Sequence, residues 1–175
     1  MVFIVLLGCS SKEKPSQNAT TGTVENVFTV AAVAQRENLS PEFQWENSSG
    51  KKYSFDSYRE KITIVNFWAT WCSPCKKELP DLIAISKEYA AAGIKVVGIS
   101  IDRGSNVVAE VSDFIKEHGI NYDIIIDNGS LEKAFGNVRG VPATFFIDKE
   151  GKILDSFVGA RPKEFFVSKI NQYIQ

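Results

Sequence analysis

Two cysteines spaced two residues apart stand where an apolar run gives way to a helical pattern, in Trp71-Cys72-Ser73-Pro74-Cys75-Lys76. A thiol at the first turn of a helix faces unpaired main-chain N–H groups and the positive end of the helix dipole. Both stabilise its thiolate, which is the reactive form. The second cysteine then falls one turn further in, close enough to close a disulfide. Pro74 suits the first turn, where the missing N–H has no intrahelical acceptor to lose. This spacing, beside a β-α-β pattern, points to thiol–disulfide exchange. Cys72, nearest the helix start, is the expected nucleophile, and Cys75 the thiol that resolves the mixed disulfide. The alternative is a pair of structural cysteines.

One turn past Cys75 comes Glu78. A carboxylate so near the thiols could take or supply their proton, whereas the bland reading is a solvated charge beside Lys76 and Lys77. Asn66, on the preceding apolar run, cannot relay a proton, which makes Glu78 the better acid. Trp71, Ser73 and Pro74 are expected at the rim of the site and Trp68 in the core. Phe145, Phe146, Phe165 and Phe166 read as core residues. His118 closes a helix before Gly119, where a positive charge complements the dipole, and no catalytic role falls to it.

The elements that must position this motif follow from the hydrophobic pattern. Residues 43–55 read as a hairpin turning at Ser49-Gly50. Residues 62–68 (Ile-Thr-Ile-Val-Asn-Phe-Trp) form a β-branched and aromatic run, hence a buried strand. After Pro74 a helical stripe runs through Leu79, Leu82, Ile83, Tyr89 and Ala90 to Gly93. A strand over 95–101 and a second helix follow; Val107, Val111, Phe114 and Ile115 carry that helix, with its cap near Ser105. A strand over 124–126 and a short helix over 130–135 come next. Two strands over 143–148 and 152–158 turn at Asp148-Lys149-Glu150-Gly151. The last helix opens at Pro162. Such alternation implies an α/β fold whose leading strands are parallel.

Composition narrows the function classes. The 175 residues carry 20 basic against 21 acidic side chains, a net charge of -1, without the basic excess of a duplex-binding protein. Nucleic acid is therefore not an expected partner. With 44% hydrophobic and 23% charged residues the chain reads as an ordinary globular protein. Three cysteines and one histidine are too few for a disulfide-stapled miniature fold, and a four-ligand zinc site would consume them all. Covalent haem attachment needs a histidine after the second cysteine, where Lys76 stands. No metal site and no dissociable cofactor are implied.

The amino-terminal residues have their own pattern. Val2 to Leu7 are all apolar, and Leu6-Leu7-Gly8-Cys9 resembles the bacterial lipobox, in which the cysteine is lipidated and becomes the mature N-terminus. No Lys or Arg precedes the run, a departure from that pattern. The expected organisation is a signal peptide over 1–8, a lipid-anchored flexible tether over 9–40 starting at Cys9, and a folded domain over 41–175. Within the tether, 27–34 is more apolar and reads equally as strand or helix.

The segment Asn66-Phe67-Trp68-Ala69-Thr70-Trp71-Cys72-Ser73-Pro74-Cys75-Lys76-Lys77-Glu78-Leu79-Pro80 resembles the TlpA/ResA branch of the thioredoxin superfamily, and 140–148 (Gly-Val-Pro-Ala-Thr-Phe-Phe-Ile-Asp) resembles that family's cis-proline segment. The resemblance covers about residues 41–175. It implies a thioredoxin fold: a central mixed β-sheet flanked by helices, with an N-terminal β-hairpin and an extra helix-strand insertion after Ile101. It implies a cis bond between Val141 and Pro142 facing the cysteines, with Val141 at the rim. The branch carries a glutamate at the position of Glu78, whereas thioredoxins themselves place a buried aspartate at that of Asn66. The implied activity is thiol:disulfide oxidoreduction outside the cytoplasm, as a reductant, with cytochrome c maturation among the roles of relatives. The expected partners are a disulfide-containing protein substrate and a membrane-bound thiol electron donor, acting on a monomeric chain. The competing readings are a non-catalytic thioredoxin-like adaptor and a metal-handling lipoprotein.

Overall fold

The computed structural model describes residues 26–174. A single eight-stranded mixed sheet runs through it in the order β3-β2-β1-β6-β5-β4-β7-β8. Its strands are β1 (Val27–Ala34), β2 (Glu42–Glu46), β3 (Lys52–Ser54), β4 (Ile62–Trp68), β5 (Ile94–Ser100), β6 (Asp123–Ile126), β7 (Ala143–Asp148) and β8 (Ile153–Val158). The helices are α1 (Phe55–Tyr58), α2 (Ser73–Glu88), α3 (Val107–His118), α4 (Ser130–Ala134) and α5 (Lys163–Tyr173). β4, β5 and β6 are parallel neighbours, as the alternation of strands and helices requires, while β7 runs antiparallel to β4 and β8 antiparallel to β7. The expected thioredoxin fold with a preceding hairpin and an inserted helix-strand unit is what the chain adopts.

Val27–Ala34, placed by the sequence reading inside the tether, is a strand of the sheet. It pairs parallel to β6 and antiparallel to β2. The folded unit thus begins before residue 41. At its start both faces are covered, with Val27 in the core on one face of the sheet and Phe28 in the core on the other; beyond them Val30 and Val33 pack on one core, and a register shift between Val30 and Ala32 breaks the alternation. The expected signal peptide over 1–8 and Cys9 lie outside the described residues. Among the described residues no helix is long and apolar enough to cross a membrane.

Both faces of the sheet are covered, and β4, buried at all seven positions, lies near its centre. Successive side chains on a strand point to opposite faces. Ile64 and Trp68 therefore join α2, α3 and α5 in one core, while Val65 and Phe67 join Phe43, Trp45, Phe55 and Phe135 in the other. Asn66 shares the face of Ile64 and Trp68, and so points at α2. Phe146 and Phe166 are fully buried; Phe145 and Phe165 are only half-buried, at the margins of the two cores.

The local expectations hold with small shifts. The hairpin turns over Asn47–Lys51, and Gly50 adopts the positive φ of 78° that this turn needs. Phe55, expected at the end of the hairpin, instead starts the one-turn helix α1. Asn106 rather than Ser105 stands at the N-terminus of α3. Gly98 lies where β5 passes beneath Trp68; a Cβ there would meet Ile124 at 2.4 Å and the Trp68 ring nitrogen at 2.9 Å.

Candidate active site

The cysteines sit outside the carboxyl end of β4, where open α/β sheets place their functional groups. After Trp68 the chain passes through Ala69, Thr70 and Trp71 and enters α2 at Ser73. Cys72 is the N-cap of α2, its Sγ accepting the Cys75 main-chain N–H at 3.2 Å. Cys72 and Cys75 are joined as a disulfide with Cα atoms 5.3 Å apart. Pro74 stands in the first turn, as its missing donor allows. Both cysteines are nearly buried, at 4% and 5% exposure. Exposure in the disulfide state does not distinguish them; their places at the helix end do.

Around the disulfide lie the residues that the sequence reading placed at its rim. Trp71 is 65% exposed beside a buried Cys72, whereas Trp68 is buried. Ser73 and Pro74 face solvent. The Val141–Pro142 bond is cis, and the Val141 carbonyl oxygen lies 3.6 Å from Cys72 Sγ. His118, at the C-terminal end of α3, stacks on Phe114, with its Nδ1 against the Phe114 carbonyl.

Glu78 is not a solvated helix-face charge. It is buried at 2% exposure, on the face of α2 that also carries Cys75. Lys76 and Lys77, its neighbours in sequence, point to solvent. One carboxylate oxygen accepts the Arg161 main-chain N–H at 2.8 Å, and the other accepts the Asn66 amide at 3.2 Å. The same amide donates to the Thr144 hydroxyl at 3.0 Å. Thr144 is the residue directly opposite Asn66 in the β4–β7 register, so the pairing of two strands builds this contact. Burial pushes the Glu78 carboxyl up to about 7; its two hydrogen bonds and the Arg161 charge oppose the rise, while Asp81 adds to it. A carboxyl that titrates near neutrality can exchange protons with a thiol at the pH where the chain would work. Thr144 lies within the cis-proline segment but its contact with Asn66 was not foreseen, and no motif marks the Arg161 main chain. Among the described residues no group of His, Cys, Asp and Glu could hold a metal ion.

A thioredoxin fold with a Cys-x-x-Cys disulfide at a helix N-terminus, opposite a cis-proline, defines the class of thiol:disulfide oxidoreductases. Comparison with known proteins agrees: residues 37–156 match the AhpC/TSA family, and the chain belongs to that family. The thiol-disulfide oxidoreductase ResA of Bacillus subtilis (strain 168) is 30% identical over 146 residues, spanning 81% of this chain and 80% of that protein. Among solved structures, a thiol:disulfide interchange protein of the thioredoxin family from Chlorobium tepidum TLS superposes with a TM-score of 0.69 at 32% identity, covering 80% of this chain and 98% of that one. A putative thiol:disulfide interchange protein DsbE from Chlorobium tepidum gives 0.70 at 26% identity, covering 81% and 99%. The chain is a thiol:disulfide oxidoreductase of thioredoxin type.

Proposed function

We propose that this oxidoreductase works outside the cytoplasm as a reductant of protein disulfides, held at a membrane through lipidated Cys9, with cytochrome c maturation as the process it serves. The observation that carries the redox role is Cys72 as N-cap of α2, its sulfur already accepting a main-chain N–H. That bond and the helix dipole stabilise a Cys72 thiolate. The resemblance to the TlpA/ResA branch supplies the setting, and Leu6-Leu7-Gly8-Cys9 supplies the anchor.

In the reduced enzyme the Cys72 thiolate attacks one sulfur of a substrate disulfide. A Cys72–substrate disulfide forms, and the other substrate sulfur leaves as a thiolate that takes a proton. Cys75 then loses its proton to Glu78 and attacks Cys72 Sγ. The second substrate thiol departs, and the Cys72–Cys75 disulfide seen here remains. A membrane-bound thiol donor returns two electrons to that disulfide. Trp71 and Val141 at the rim face the incoming chain.

Pro74 beside Cys75 brings no positive charge to the Cys72 thiolate, as a histidine there would, and this favours the reducing direction. The test is to express Cys75→Ser and Cys72→Ser in the native host. Cys75→Ser is expected to accumulate adducts that migrate slowly without reductant and collapse with it, and Cys72→Ser few or none. The reverse pattern would exchange the two roles. Full activity in both variants, with no adducts, would favour the adaptor reading. The trapped proteins name the substrate class. An unmodified N-terminal Met1 on the full-length chain from native cells would remove the lipid anchor from the proposal.

A further inference from the structure

The stretch from Ala69 to Trp71 has to deliver Cys72 to the helix end, and a buried acid at the end of the neighbouring strand grips it. Asp102 is 5% exposed and lies two residues past the end of β5. Its carboxylate accepts the Thr70 main-chain N–H with both oxygens, at 3.0 and 3.2 Å, and the Thr70 hydroxyl at 2.7 Å. The Ser100 hydroxyl donates to the same carboxylate at 2.8 Å, and the Asp102 main-chain N–H returns a bond to the Ser100 oxygen at 3.2 Å. Arg103 braces the base of this arrangement by donating to the carbonyls of Asp102 and Asp127 at 3.0 and 2.9 Å. Among the described residues the Asp102 carboxylate forms no ion pair, so hydroxyl and main-chain donors take the place of its water. Hydrogen bonds to an ionised acceptor are stronger than neutral ones, and a buried carboxylate that loses them carries a heavy penalty.

This grip falls two residues before Cys72, on the only chain segment linking β4 to α2. We propose that Asp102, through Thr70, is a positioning residue of the exchange reaction: it locks the Thr70–Trp71 turn so that Cys72 sulfur stays on the axis of the α2 N-terminus in both redox states. The idea rests on Cys72 as the attacking thiol. The disulfide by itself secures Cys72 only while the enzyme is oxidised. Once it is cleaved, the lock at Thr70 and the turn from the Cys72 N–H to the Ala69 carbonyl (3.1 Å) hold the nucleophile's main chain.

The experiment compares Thr70→Ala, Thr70→Ser and Asp102→Ala in the reduced full chain. Two quantities are read: the rate of exchange with a small aromatic disulfide, and the pH midpoint of alkylation by iodoacetamide, with the alkylated cysteine identified by peptide mass spectrometry. Near-ultraviolet circular dichroism reports folding. Thr70→Ala is expected to slow exchange roughly tenfold, because small misplacements of a reacting group have large rate effects, and to move the alkylation midpoint upward as the thiolate leaves its N–H donor. Thr70→Ser restores the hydroxyl and is expected to restore both readouts. Asp102→Ala should reproduce or exceed the Thr70→Ala effect; if it fails to fold, the two Thr70 variants decide. A folded Thr70→Ala with the parent's rate and midpoint overturns the proposal, as does a Thr70→Ser as impaired as Thr70→Ala. First alkylation at Cys75 in the parent would instead remove the assignment of Cys72, a result visible before any Thr70 or Asp102 variant is made.

Discussion

The Asn66 side-chain amide donates to the Glu78 carboxylate at 3.2 Å, across the interface of β4 and α2. Asn66 thus serves the buried acid as a hydrogen-bond donor, and its second N–H is spent on Thr144. The buried carboxyl stands on the helix, and the strand facing it carries its hydrogen-bond donor. Burial raises the Glu78 carboxyl to about 7; the Arg161 main-chain N–H, the Asn66 amide and the Arg161 charge offset only part of that rise.

Replacing Glu78 with Gln removes that titration while keeping the side chain's shape. Thiol exchange is expected to slow by about 10²-fold or less, the low end of general acid–base contributions. A step near pH 7 in the parent's pH–rate profile is expected to disappear. Stopped-flow exchange between pH 5.5 and 8.5 measures both. An unchanged profile would reduce Glu78 to a structural group.

The same carboxyl sets a sign for stability. Its folded value, about 7, lies above the ordinary 4.5. Between those pH values the folded state holds a proton that the unfolded chain has released. Glu78 therefore makes stability fall as pH rises from about 4.5 to 7, with its full cost present above 7 and none below about 4.5. At about 1.4 kcal/mol for each pKa unit the cost is on the order of 1–3 kcal/mol. Urea unfolding of parent and Glu78→Gln should show the parent losing ground to the variant across that window. The Gln amide facing Asn66 adds an offset that does not vary with pH, so the slope is the diagnostic. Parallel curves would contradict the perturbed titration.

A side chain at Gly98 requires its neighbours to move. A Cβ placed 2.4 Å from Ile124 and 2.9 Å from the Trp68 ring would displace groups packed on all sides. Gly98→Ala is expected to destabilise by about 1–3 kcal/mol, the usual range for overpacking. A lower urea midpoint at constant slope would register it; an unchanged midpoint would show that Trp68 repacks freely.

Trp71 projects from the site with little of its surface covered. Trp71→Ala should leave stability within about 0.5 kcal/mol. Exchange with a protein disulfide is expected to weaken several-fold through KM, since exposed aromatics are frequent anchors at interfaces. Reduction of the Cys72–Cys75 disulfide by dithiothreitol should stay within about twofold of the parent, since so small a reductant needs no rim contact. Equal losses with both would place Trp71 in support of the cysteines instead.

The enzyme's direction is open to equilibrium measurement. With Pro74 next to Cys75, the pair is expected nearer thioredoxin, about -270 mV, than DsbA, about -120 mV. A glutathione redox titration followed by Trp fluorescence decides it. A potential above about -150 mV would make the enzyme an oxidant.

What the amino-acid sequence determined by itself was local. Cys72 and Cys75 lie within one helical turn, so their spacing and the strand before them sufficed to place a thiol at a helix N-terminus. The β-branched run of β4 and the stripes of α2 and α3 were legible for the same reason: neighbours along the chain specify a strand or a helix face. Val27–Ala34 was not legible, because its apolar run matched neither period and became a strand only where β6 and β2 lined it on either side. The surroundings of the cysteines were decided by tertiary structure. Glu78 meets Asn66 from 12 residues away and Arg161 from 83, Asn66 meets Thr144 from 78, and Thr70 meets Asp102 from 32. Those contacts depend on which strands are neighbours, in what register, and on which face each side chain emerges. Sheet register and the packing of α2 across it turned a helix-surface glutamate into a buried acid near neutrality, and a residue past the end of β5 into the brace of the nucleophile's loop.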